Sequence, residues 1–73
     1  MTQEKVDKLL EFARELEEDV VVVTKARRRV FMDFSDEEYK NTYIFNNHLY
    51  IWDTTFNLLN LVPLEDIKCI EFH

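Results

Sequence analysis

Hydrophobic residues near the start of the chain fall at helical spacing. Val6, Leu9, Leu10, Ala13 and Leu16 recur at i, i+3, i+4, i+7 and i+10, and Phe12 widens the stripe. The opposite positions are Lys5, Asp7, Lys8, Glu11, Arg14, Glu15 and Glu18. Thr2 offers a cap, and Glu4 sets a negative charge in the first turn, where the helix dipole favours it. The pattern predicts an amphipathic helix over about 3–18 with its stripe turned to a core. Glu17, Glu18 and Asp19 then sit where the dipole prefers cations, a cost of at most about 0.3–1 kcal/mol per charge.

The period then changes. Val20 to Val23 is an unbroken β-branched run, predicting a strand over about 20–24 that is covered on both sides, with the helix on one of them. Thr24-Lys25-Ala26 turns the chain. Over about 27–34 the alternation places Arg28, Val30, Met32 and Phe34 on one face and Arg27, Arg29, Phe31 and Asp33 on the other. Ser35 with Glu38 three residues on has the spacing of a capping box, predicting a single helical turn. Strands over about 42–46 and 48–53 are joined by Asn46-Asn47, which tolerates the left-handed backbone of a two-residue hairpin. Thr54 to Asn57 leads into a strand over about 56–62, and Pro63, with no N–H to give, stops it. Leu64-Glu65-Asp66 suits one tight turn. A strand over about 67–72 closes the chain, with Leu64, Ile67 and Ile70 toward the core and Glu65, Asp66, Lys68 and Glu71 toward solvent. There is no glycine, so tight turns fall to Asn, Asp or Lys. The expected fold is α+β in one domain spanning 1–73. An N-terminal amphipathic helix packs on a small, mostly antiparallel five- to six-stranded sheet or partly open barrel.

Composition narrows this reading. At 47% hydrophobic the chain is too apolar for disorder, and 73 residues lie near the lower limit for a self-sufficient core. Such a core supplies only about 3–5 kcal/mol, so a homo-oligomer is expected. The single cysteine, Cys69 in IKCIEF, has no disulfide partner and packs as a small hydrophobe, which favours a reducing compartment. No leader-like segment opens the chain and no apolar run approaches membrane length, so a cytoplasmic location without a membrane partner is expected. The net charge of −6 opposes nucleic acid and favours a basic protein partner. Charge is also unevenly spread: seven acids and three bases lie within Met1 to Asp19, while from Asn41 to Leu64 the only charged residue is Asp53.

The pattern NNHLYIWD, a turn, then LVPLEDIKCIEF resembles the C-terminal half of YolD-like proteins. More broadly it is similar to small Sm-like or SH3-like barrels that close through a PL-acid-x-I-x-x-I segment. Leu49, Ile51 and Asp53 carry the match in the hairpin, and Pro63, Leu64, Asp66, Ile67 and Ile70 carry it at the closure. The resemblance implies an N-terminal helix over a bent five-stranded barrel. It also implies a non-catalytic accessory role of the kind associated with bacterial stress responses and mobile elements.

Three constellations are candidate sites. Tyr50, Trp52 and His48 share one strand face, and Leu49, Ile51 and Asp53 share the other. If Leu49 and Ile51 face the core, Tyr50 and Trp52 join Tyr43 on a nearly uncharged, protein-binding surface; the opposite assignment makes them core. The acids Glu15, Glu18, Asp36, Glu37 and Glu38 are either solvated faces or a surface for a basic partner, as in a phage-type inhibitor occupying a basic groove. Arg27, Arg28 and Arg29 either bind an anion or nucleic acid, the weakest reading, or pair internally with Glu17, Glu18 and Asp19 across the hairpin. Cys69, His48 and His73 complete no tetrahedral metal set, and a chain without glycine forms no phosphate loop. No catalytic residue, cofactor site or metal site is assigned, and the expected protein is not an enzyme.

Overall fold

The computed structural model describes residues 1–32, 42–53 and 58–73. Helix α1 spans Gln3–Leu16, and six strands follow: β1 Val20–Thr24, β2 Arg29–Met32, β3 Tyr43–Phe45, β4 His48–Asp53, β5 Leu58–Pro63 and β6 Ile67–Phe72. A single 3₁₀ turn, Leu64–Asp66, joins β5 to β6. The architecture is α+β, but the strands form two three-stranded antiparallel sheets, ordered β2-β1-β6 and β3-β4-β5. This corrects the expected five- to six-stranded sheet, while the antiparallel pairing is as expected. Among the described residues no strand pair joins the sheets.

The helix starts on Thr2, whose hydroxyl accepts from the Lys5 amide at 3.3 Å. It stops two residues before the expected end because Glu17 turns left-handed (φ 56°, ψ 42°). The Glu17 amide then donates to Arg14 O at 3.2 Å and the Glu18 amide to Ala13 O at 3.0 Å. That pair of bonds is the Schellman ending, usually made with glycine at the turning position. Among the described residues three more take positive φ without glycine: Arg27 (65°), Asn46 (54°) and Asn47 (61°). The two asparagines form the β3–β4 hairpin turn, which needs a left-handed backbone at both centres. Arg27 is the third residue of the four-residue loop between β1 and β2, where the Arg27 amide donates to Thr24 O at 3.0 Å and the Arg28 amide to Thr24 Oγ1 at 3.0 Å. β2 therefore begins at Arg29, two residues later than the alternation alone suggests.

One core lies between the helix and both sheets. It contains Val6 and Ala13 of α1, Val20 and Val22 of β1, Val30 and Met32 of β2, Leu49 and Ile51 of β4, Val62, Leu64 and Ile67. The helical stripe is only partly used. Taking about 100° per residue, Leu16 lies about 60° and Phe12 about 100° around the helix from Ala13. The two flank residues accordingly stay 51% and 53% exposed, with the Phe12 ring 6.0 Å from Phe72. Besides the core, Arg28 Nη2 donates to Asn60 Oδ1 at 3.0 Å and Thr42 Oγ1 donates to Met32 Sδ at 3.2 Å, each reaching from one sheet side to the other. The Leu64 amide donates to Asn47 O at 2.9 Å, extending the β4–β5 ladder by one pair. The Met1 ammonium also reaches this corner, donating to Leu64 O at 2.7 Å.

Candidate functional site

The register of the second sheet decides which of its faces is free. Ile44 pairs with Leu49, Leu49 with Val62, and Ile51 with Asn60. Leu49, Ile51 and Val62 are fully buried and Ile44 packs against them, so this parity is the core face. Side chains alternate along a strand. The opposite parity, Tyr43 and Phe45 on β3, His48, Tyr50 and Trp52 on β4, and Leu59, Leu61 and Pro63 on β5, therefore makes the outer face. Of the two assignments open from the sequence, the structure places Tyr50 and Trp52 outside.

Tyr50 sits at the centre of this face. Tyr43 pairs with it from one side and Leu61 from the other. The Tyr43 and Tyr50 rings stack with centroids 4.7 Å apart and planes within 8°, a parallel cross-strand pair that stiffens both side chains. Tyr50 and Trp52 are half-buried by their neighbours. Tyr43 at 52%, Phe45 at 65%, and Leu59 and Leu61 at 42% each stand well into solvent. His48 donates from Nδ1 to Asn46 O at 2.8 Å, which holds its ring beside the hairpin turn. Among the described residues no Asp, Glu, Lys or Arg belongs to the face. Leu59, Leu61 and Pro63 are members that sequence reasoning missed, because placing them requires the β4–β5 register.

The arginines diverge. Arg28 stays exposed in the loop before β2 and donates to Asn60 Oδ1, while Arg29 lies on the outer face of the first sheet, 2.9 Å from Glu71 Oε1. Arg27 stands exposed in the turn. The three do not converge on one anion. The expected pairing with Glu17, Glu18 and Asp19 is also corrected. In the hairpin register Val23 faces Arg29 and Val20 faces Met32, so the acids and the arginines lie at opposite ends of β1. Glu71 takes the role instead, from a strand 42 residues further on, and its pair with Arg29 crosses β1 between Val21 and Val23. His73 Nε2 lies 3.3 Å from the same Glu71 oxygen. Those two partners, His73 first and Arg29 next, hold the Glu71 carboxyl below its ordinary value of 4.5.

Glu15 is exposed on α1, and Glu18 is half-buried just past the helix end. Asp36, Glu37 and Glu38, with Phe34, Ser35 and Tyr39, lie outside the described residues, as does the expected Thr54–Asn57 connection. A cleft of about 730 Å³ opens where the start of α1 meets the Asn46–Asn47 turn and the Pro63–Leu64 corner. Its lining offers His48, Glu65 and two asparagines. Among the described residues no group of three or more His, Cys, Asp or Glu side chains could hold a metal ion. No helix among them is long and apolar enough to cross a membrane.

Comparison with protein-family models, curated proteins and solved structures found no match. The functional reading therefore stands on the residues themselves.

Proposed function

We propose that the chain is a small, non-enzymatic protein-binding module, and that the outer face of the second sheet is its binding surface. The observation that carries this is the eight-residue face centred on Tyr50, uncharged on a protein of net charge −6. Aromatic residues with few rotatable bonds, clear of charge and partly pre-stacked, are what protein interfaces concentrate at their centres. The resemblance to YolD-like and other small-barrel proteins points the same way, to an accessory role. The test is site-specific photo-crosslinking in the producing cell. A photoreactive residue at position 45 is expected to capture protein covalently, and one at position 5, on the exposed side of α1, is not. Equal capture from both positions, or none from position 45, would refute the assignment.

A second reading is favoured by α1 itself. Glu4, Asp7, Glu11 and Glu15 are all exposed and follow one another at i, i+3, i+7 and i+11, an acidic row along the helix. Such a row suits a basic partner, as in an inhibitor that fills a nucleic-acid-binding groove. Binding of that kind weakens steeply with salt and is lost on reversing the charge of Glu11 and Glu15, whereas binding through the sheet withstands both.

A further inference from the structure

This inference rests on the reading of the second sheet as a protein-binding face and names its partner. We infer that the face binds a second copy of this chain, sheet against sheet in a two-fold dimer. The first argument is charge. In a two-fold interface the same patch comes from both subunits, so any charge in it meets its own kind. Two copies of a −6 protein meeting on the acidic row of α1, or on the Glu65–Asp66 corner, would oppose like charges. The face around Tyr50 brings no formal charge to itself.

The second argument is area. With about 200 Å² for an aromatic side chain, the exposures of Tyr43 and Phe45 leave roughly 230 Å² of ring in water. Leu59, Leu61 and the half-buried members raise the face to roughly 400–500 Å². Two copies then bury on the order of 1,000 Å², the lower bound for a specific interface and the size of a reversible one. Two sheets stack at about 10 Å within about 30° of alignment. The second sheet would become a middle layer, with its own core on one side and the partner on the other. A 73-residue domain gains from this in proportion to how little core it owns.

The test is sedimentation equilibrium of the purified chain over a wide concentration series. A monomer–dimer equilibrium in about the micromolar range is expected. It should tighten as salt rises, because screening relieves the repulsion between two acidic copies while leaving an uncharged contact intact. Phe45→Asp and Leu61→Lys change exposed residues outside the core, and each is expected to weaken the dimer by about a hundred-fold, since a two-fold interface meets every substitution twice. Circular dichroism and thermal unfolding of each variant check that it remains folded. A purified chain that stays monomeric throughout overturns the inference, and so does a dimer that both variants leave intact. The crosslink at position 45 separates the two readings. Capture of a different protein by a monomeric chain removes the self-association and leaves the binding face, while a monomer with no capture removes both.

Discussion

Glu17 is the position where a single substitution should stabilise the protein most simply. It closes α1 in a left-handed conformation with φ 56° and ψ 42°. For a residue with a Cβ this conformation costs about 1–2 kcal/mol, and for glycine almost nothing. Glycine returns about 0.5–1 kcal/mol of that gain through its larger freedom in the unfolded chain. Removing a carboxylate from the helix C-terminus adds about 0.3–1 kcal/mol, because the last carbonyls already present partial negative charge. Glu17→Gly is therefore expected to stabilise by about 1–1.5 kcal/mol, which in a domain of this size raises Tm by about 5–10 °C. Glu17→Ala isolates the charge contribution, keeping the Cβ and the backbone cost while losing the carboxylate, and should gain only about 0.5 kcal/mol. The assay is reversible thermal unfolding followed by circular dichroism, with urea denaturation as the independent measure. If glycine proves no more stabilising than alanine, the backbone cost assigned to Glu17 is wrong.

Three further outcomes follow from the packing and the titration. Ile51→Ala removes a fully buried side chain from the middle of β4 and should cost about 2–5 kcal/mol, enough to unfold a core of this size, whereas Trp52→Ala on the outer face leaves the chain folded; urea denaturation of both compares them directly. Thr24→Val deletes the buried hydroxyl that accepts from the Arg28 amide, and the stranded donor should lower stability by about 1–3 kcal/mol in the same assay. The Glu71 carboxyl has its folded pKa depressed by His73 and Arg29, so its contribution is present above the ordinary value of 4.5 and disappears as pH falls through the lower folded value. The stability difference between the native chain and Glu71→Gln should therefore shrink as pH falls through and below 4.5, and a difference unchanged on acidification would contradict the assignment.

Features decided by local pattern were legible in the sequence. The helix followed from its stripe, and the hairpin turn from two adjacent asparagines that both tolerate positive φ. The outward direction of Tyr50 and Trp52 was half-legible. Alternation tied them to the side opposite Leu49 and Ile51, but which side met the core depended on Val62 and Ile44 arriving from other strands. What failed were judgements that needed tertiary register. Three consecutive arginines read as a cluster, yet the left-handed turn at Arg27 sent them to three different places. The acids that seemed close to them lie the length of β1 away, and the true partner of Arg29 came from the far end of the chain. Leu16 belonged to the stripe by spacing and was left exposed, because the stripe is broader than the surface available to cover it.

The pairing of β1 with β6, from Val20 with Phe72 to Thr24 with Ile67, has a consequence for synthesis. β1 is the first of the six described strands and the central strand of its sheet, yet one of its two neighbours, β6, is the last of them. Until Ile67–Phe72 has left the ribosome, one edge of β1 has its backbone donors and acceptors open, and Val20 and Val22 lack Ile70 and Phe72 beside them. A β1–β2 hairpin and helix α1 can form early, but the sheet cannot be completed until β6 has emerged. Nascent chains stalled a few residues before Ile67 should remain protease-sensitive, and resistance should arrive in one step when β6 is released.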